Sequence, residues 1–288
     1  MQSFHSYVAL MKLRVVELLI ITTVPALFLA AKGWPPIVPT IASLIGGTLA
    51  AGAANTFNMV IEAESDKLMS RTKHRPIAAG ELTKKQASNF AILLMITSLL
   101  IFWYFTTPLA TLLTSFAILF YVAIYTVLLK PNTNQNIVWG GIAGCLPVLI
   151  GWAAVTNSLA APAYWFFLVV FFWTPPHFWA IAIKYHDDYE AAKIPMLPVV
   201  ATKKRVYIEM WFHTILMIAS SIMTIRTAQL PIWAYYLTLV LAFAFGEQVY
   251  KLRSEESEYE KVAGRIFNFS ILYLTLFSLL LVVGQLLS

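Results

Sequence analysis

The chain has 288 residues, of which 59% are hydrophobic and only 12% charged, with a mean hydropathy of +0.73. Too few polar side chains are present to coat a water-exposed core, so the composition excludes an ordinary soluble enzyme and indicates a membrane protein whose first partner is membrane lipid. A net charge of +6 raises the question of nucleic acid, but the bases lie in short loops between apolar runs, and no nucleic-acid partner is expected.

In chain order, the amino-terminal stretch up to Arg14 is too short for a transit peptide, and the apolar run behind it reads as a retained span. Nine runs have the roughly 20 apolar residues needed to cross a bilayer: about 15–31, 37–60, 88–106, 108–129, 137–156, 162–184, 208–226, 231–250 and 266–286. Pro, Gly and Asn punctuate them at Gly33, Pro35, Pro36, Pro108, Pro131, Asn132, Asn157, Pro162 and Pro231. The expected fold class is therefore all-α, a polytopic bundle forming one transmembrane domain over 1–288. With the amino terminus inside, eighteen of the twenty Lys and Arg fall on inner segments and only Lys32 and Arg226 fall outside. That asymmetry fixes the orientation, supports an odd span count and puts the carboxyl terminus outside. The two long connections, about 61–87 and 185–207, are both on the inner side and carry most of the acids, so they are expected to meet over one cavity mouth. Spans 2 and 6 each run into an acid-rich inner segment, a weak echo of two four-helix halves with a ninth helix added.

The most informative stretch is Asn58–Arg75, NMVIEAESDKLMSRTKHR. Asn58, Glu62 and Asp66 are spaced by four, so on a helix their oxygen-bearing side chains share one face, while Glu64 points away. Acids this close to an apolar run are expensive and usually functional. The set suits Mg²⁺, which takes one or two carboxylates together with phosphate oxygens; an EF-type Ca²⁺ loop is absent. Arg71, Lys73 and Arg75 follow and are expected to bind the anion. A second cluster, Lys184, Tyr185, His186, Asp187 and Asp188, ends span 6. Asp187 and Asp188 are its candidate metal ligands, and Lys184 its anion-binding base. Glu17 is expected to pair with Lys12 or Arg14. His177 lies within a span beside Pro175 and Pro176, which should kink the helix and free backbone carbonyls next to a cavity. Cys145 sits in an apolar run and reads as a small core residue. Together the parts allow ionisation of an allylic diphosphate: the leaving group's charge is neutralised by metal and Arg, and the carbocation is kept from water by the bundle.

These segments, above all NMVIEAESDKLMSRTKHRPIAAGEL and WTPPHFWAIAIKYHDDYEAAKIPMLPVV, resemble the UbiA-type intramembrane prenyltransferases over nearly the whole chain, and specifically their haem-farnesylating branch. The family's first acidic motif falls on Asn58, Glu62 and Asp66, with Glu62 where Asp is usual. Its basic signature falls on Arg71, Thr72, Lys73, Arg75 and Pro76. Ala191 and Ala192 stand where a second acid of the second motif is expected. Lys130 is kept after span 4, with Pro131 in place of an Arg. The resemblance implies catalytic roles for Asn58, Glu62, Asp66 and Asp188, and diphosphate binding by Arg71, Lys73, Arg75, Lys130 and Lys184. It implies farnesyl diphosphate and haem b as substrates, haem O as product, Mg²⁺ as cofactor, His177 near the porphyrin, and a bacterial inner membrane. Haem A synthase or the assembly of a terminal oxidase would then lie downstream. The alternatives are prenylation of a quinone precursor or other aromatic ring, and a non-enzymatic haem or lipid transporter.

Overall fold

The computed structural model describes residues 2–253 and 258–288, and they form helices and connections without a strand. Long apolar segments in lipid must satisfy their own backbone polar groups, which leaves the helix as the available element. A short α1 (Gln2–Leu10) is followed by α2 (Leu13–Ala31), α3 (Ile37–Ile61), α4 (Ala63–Leu68), α5 (Lys84–Phe105) and α6 (Pro108–Leu119). A π-helical stretch, Phe120–Leu129, continues α6 into the short α7 (Lys130–Asn132). Then come α8 (Asn136–Thr156), α9 (Ala161–Lys184), α10 (His186–Ala191), α11 (Leu197–Val200), α12 (Lys203–Thr227), α13 (Ile232–Tyr250) and α14 (Tyr259–Leu286).

Among the described residues, eight helices are long and apolar enough to cross a membrane, and the chain is a multi-pass membrane protein. The first expected span is the short one. Its apolar part, Val16–Ala31, is only about 24 Å long at helical rise, against a hydrocarbon core of roughly 30 Å. It nonetheless packs inside the bundle, against α3, α8 and α14. Local chemistry sets several helix starts: Thr83 forms a capping box with Gln86, and Thr107 and Thr202 cap α6 and α12. The most extensive helix pairs are α3 with α5 and α9 with α12. These are the second and sixth spans, each against its successor, so the faint repeat in the sequence has a counterpart in the packing.

Pro175 and Pro176 lie inside α9, yet the helix runs on through them to Lys184. A departure from regular α-helix lies at the end of the fourth span. There the π-helical turn lets Thr126 donate to the carbonyl of Tyr121, five residues back, at 2.9 Å. Such insertions are frequent at functional sites because they turn side chains out of the regular helical register.

Candidate active site

The site is built where the ends of α2, α3, α7 and α9 meet. At the end of α3 the backbone bends at Glu62, but the hydrogen-bond ladder continues across the joint. Glu62 N–H donates to Asn58 O at 2.9 Å, and Asp66 N–H to Glu62 O at 2.8 Å. The one-face column of Asn58, Glu62 and Asp66 therefore survives the change from α3 to α4.

Each member of the column meets a cation. The Lys12 ammonium donates to Asn58 Oδ1 at 2.9 Å, and the Asn58 amide donates in turn to Thr126 Oγ1 at 3.2 Å. Lys130 forms an ion pair with Glu62. Arg75 donates to both oxygens of Asp66 at 2.7 Å and lies 3.9 Å from Glu62. Asn58 and Asp66 are each only 2% exposed, so these pairs hold charge where water is scarce. Removing one partner from such a buried pair costs about 3–5 kcal/mol. Burial alone would raise the Glu62 carboxyl, but the charges of Lys130, Lys12 and Arg75 outweigh it and hold Glu62 below the ordinary carboxylate range. Burial, and next the nearby Arg75, pull Lys12 well below the usual lysine value.

The second acidic segment arrives on α10 and behaves differently. Asp188 accepts from the Ser70 hydroxyl at 2.7 Å and from the Arg71 backbone N–H at 3.2 Å. The Ser70 hydrogen bond is the main reason its carboxyl lies below its ordinary value. Arg71 packs its guanidinium over the rings of Tyr185 and Tyr189, 5.9 Å from each. The two inner segments are thus stitched together by Asp188, Ser70 and Arg71. Asp187, by contrast, has a fully solvent-exposed side chain and pairs with His186 at 3.2 Å. His186, Asp187 and Glu190 do cluster closely enough to offer three ligand atoms, but on the exposed side of α10.

Below this mouth lies a cavity of about 330 Å³. Lys12, Asn58, Glu62, Arg71, Arg75 and Lys130 line its charged end, and Tyr121, Tyr125 and Tyr189 border the next level. The remaining wall is mostly apolar and is formed by α2, α3, α6, α8 and α9. The Tyr125 ring occupies the space that a side chain at residue 140 would need, so only glycine fits at Gly140.

Several expected residues are not brought to the cavity. Lys73 and Lys184 are exposed and do not line it; Lys184 instead sits 5.5 Å from the centre of the Tyr185 ring. His177 is 3% exposed and packs into the contact between α9 and α14. Its Nδ1 is 2.7 Å from Ser270 Oγ, and its ring stacks on Trp173 at 4.3 Å. Its neighbours Trp173, Thr174 and Phe178 do face the cavity. Glu17 is exposed; of its two expected partners, Lys12 turns to Asn58, and the side chain of Arg14 lies outside the described residues. Cys145 is buried, as a core residue should be, with its thiol 2.9 Å from the Gly141 carbonyl. The residues that sequence reasoning missed are Lys12 as a site base, Tyr121, Tyr125 and Thr126 on the π-helical turn, and Ser70.

A charged mouth above an apolar, membrane-buried shaft is the architecture of an enzyme that handles amphiphilic anions. The UbiA prenyltransferase family model matches residues 19–272, and the chain belongs to that family. It is 44% identical over 282 residues to the protoheme IX farnesyltransferase of Pseudarthrobacter chlorophenolicus, covering 96% of this chain and 88% of the relative. It is 45% identical over 273 residues to the enzyme of the same name from Frankia casuarinae, covering 94% of each. Among solved structures it is similar to digeranylgeranylglyceryl phosphate synthase, with a TM-score of 0.79, 17% identity and full coverage of both chains. It is also similar to a UbiA homologue from Archaeoglobus fulgidus bound to DMAPP and Mg²⁺, with a TM-score of 0.68, 14% identity and coverage of 96% and 99%. At those identities the two structures establish the fold.

Proposed function

We propose that this protein transfers a farnesyl group from farnesyl diphosphate to a vinyl group of protohaem IX (haem b), giving haem O and diphosphate. The observation that carries this reading is the continuity of the charged mouth with the apolar shaft, in a chain more than 40% identical over most of its length to enzymes named for that transfer. By the distribution of bases, the mouth opens on the cytoplasmic face of the bacterial membrane.

In the reaction, the bond between farnesyl C1 and the diphosphate oxygen breaks, and its electron pair leaves with the diphosphate. The vinyl group's terminal carbon supplies the pair that forms the new bond to C1. Water adds to the resulting cation next to the ring and loses a proton, leaving a hydroxyethylfarnesyl side chain. Arg71, Arg75, Lys130 and Lys12 have the charge and placement to hold the diphosphate and to stabilise the charge it gains as it leaves. Tyr121 and Tyr125 border the shaft just below, where their ring faces suit the cationic carbon. The apolar wall keeps water from that carbon until the acceptor has reacted.

The donor set on α3 and α4 fits a hard divalent cation. Asn58, Glu62 and Asp66 offer only oxygen, on successive turns, and every one of them already faces a positive group. Mg²⁺, held there, would supply electrophilic assistance to the departing diphosphate. Lys12, Lys130 and Arg75, which pair with those same oxygens here, would then be free to turn to phosphate. Asp188 approaches from the other segment, and in this arrangement it fixes Ser70 and Arg71. The test is to incubate membranes containing the protein with farnesyl diphosphate, haem b and Mg²⁺ and look for haem O. Its formation supports the reading; prenylated quinone precursor in its place, with intact protein and no haem O, contradicts it.

A further inference from the structure

Two adjacent glycines on α3 have opposite surroundings. A Cβ at Gly46 would sit 2.9 Å from the Phe102 ring, so that glycine is required by the packing of α3 on α5. A Cβ at Gly47 would meet nothing within 4 Å, and Gly47 lines the cavity. Packing does not demand a glycine at residue 47; what the missing side chain leaves is open volume inside the shaft. Gly47 is eleven residues before Asn58, which places it about 16 Å below the charged mouth. That depth is comparable to an extended chain of three isoprene units whose diphosphate is held at the mouth. One helical turn further on, Ser43 lines the same cavity. It is 2% exposed, and its hydroxyl makes no hydrogen bond among the described residues. An apolar tail gains by filling the space at Gly47 and gains nothing by pressing on an unsatisfied hydroxyl.

Building on the proposed use of this cavity for a prenyl diphosphate, we propose that the gap at Gly47 sets the length of tail the enzyme accepts, with Ser43 marking its floor. Specificity of this kind depends on volume: a side chain filling the gap should exclude the tail's distal unit while leaving the head untouched. Gly47 touches no charged residue of the mouth, so a substitution there separates tail length from diphosphate affinity.

The test is equilibrium binding of geranyl, farnesyl and geranylgeranyl thiolodiphosphates, with Mg²⁺, to the purified full-length protein and to its Gly47→Leu variant. The expected result is a loss of about tenfold or more for the farnesyl and geranylgeranyl compounds, with geranyl affinity kept within about twofold. Gly47→Ala guards against misfolding, because its methyl has free space; it should weaken geranylgeranyl binding most and geranyl least. If the wild type binds the three compounds but both variants lose affinity for all equally, or for none, the length assignment is overturned and the reading of the mouth stands. If the wild type binds none of them, the reading of the cavity itself is overturned, and the length assignment with it.

Discussion

The two acidic segments look alike in sequence and are used differently. In Asn58–Arg75 every oxygen donor of the helical column is buried or nearly so and is matched by a cation: Lys12 and Lys130 come from other parts of the chain, and Arg75 from the same segment. In Lys184–Asp188 one acid points into water and the other holds a loop. Burial separates a carboxylate that must be paired from one that solvent can satisfy. The same residue type therefore carries strong electrostatics in the first segment and weak, screened electrostatics in the second.

Substitutions should sharpen this contrast in a definite order. Asp66→Asn should cut haem O formation by about a thousandfold, because it removes a proposed metal donor and the partner of Arg75 in one step. Initial rates in membranes with matched protein levels would show it, and a rate within tenfold of wild type would break the comparison on its stronger side. Lys130→Met comes next, at about a hundredfold, since it removes a proposed diphosphate contact and leaves the Glu62 carboxylate with the charges of Lys12 and Arg75. Lys12→Met should lower the rate about tenfold, and Lys12→Arg should restore part of it. The farnesyl diphosphate KM of both variants separates lost binding from a collapsed site. Asp187→Asn should change the rate by no more than about twofold, because its carboxylate is fully exposed. A large loss there would mean that the exposed His186, Asp187 and Glu190 cluster takes part after all.

Much of the architecture was legible because membrane spans are written in composition, and the column of Asn58, Glu62 and Asp66 was legible because four-residue spacing fixes a helix face. The unread parts depend on direction rather than residue type. Lys12 reaches Asn58 because it adopts a left-handed conformation, φ 51° and ψ 55°, at the break between α1 and α2. Nothing in the local pattern signals that break. Tyr121 and Tyr125 looked like ordinary members of an apolar run, and the π-helical turn that carries them alters the register over only ten residues. Lys73, Lys184 and Asp187 face solvent outside the cavity, and their direction was unreadable for the converse reason: a charge at the inner face of a membrane protein has bulk water as a ready partner, and sequence alone does not show which way it turns. Arg75 carries more structural weight than expected. Its two hydrogen bonds to Asp66 mean that Arg75→Ala should cost stability as well as turnover.

The most direct test of the central claim is a structure of the full chain with farnesyl thiolodiphosphate and Mg²⁺. The account predicts metal within about 2.1 Å of oxygens from Asn58, Glu62 or Asp66, with Lys130 and Arg75 swung from the carboxylates onto the diphosphate and the tail running toward Gly47. Diphosphate bound elsewhere, with the Lys130–Glu62 and Arg75–Asp66 pairs undisturbed, would contradict it.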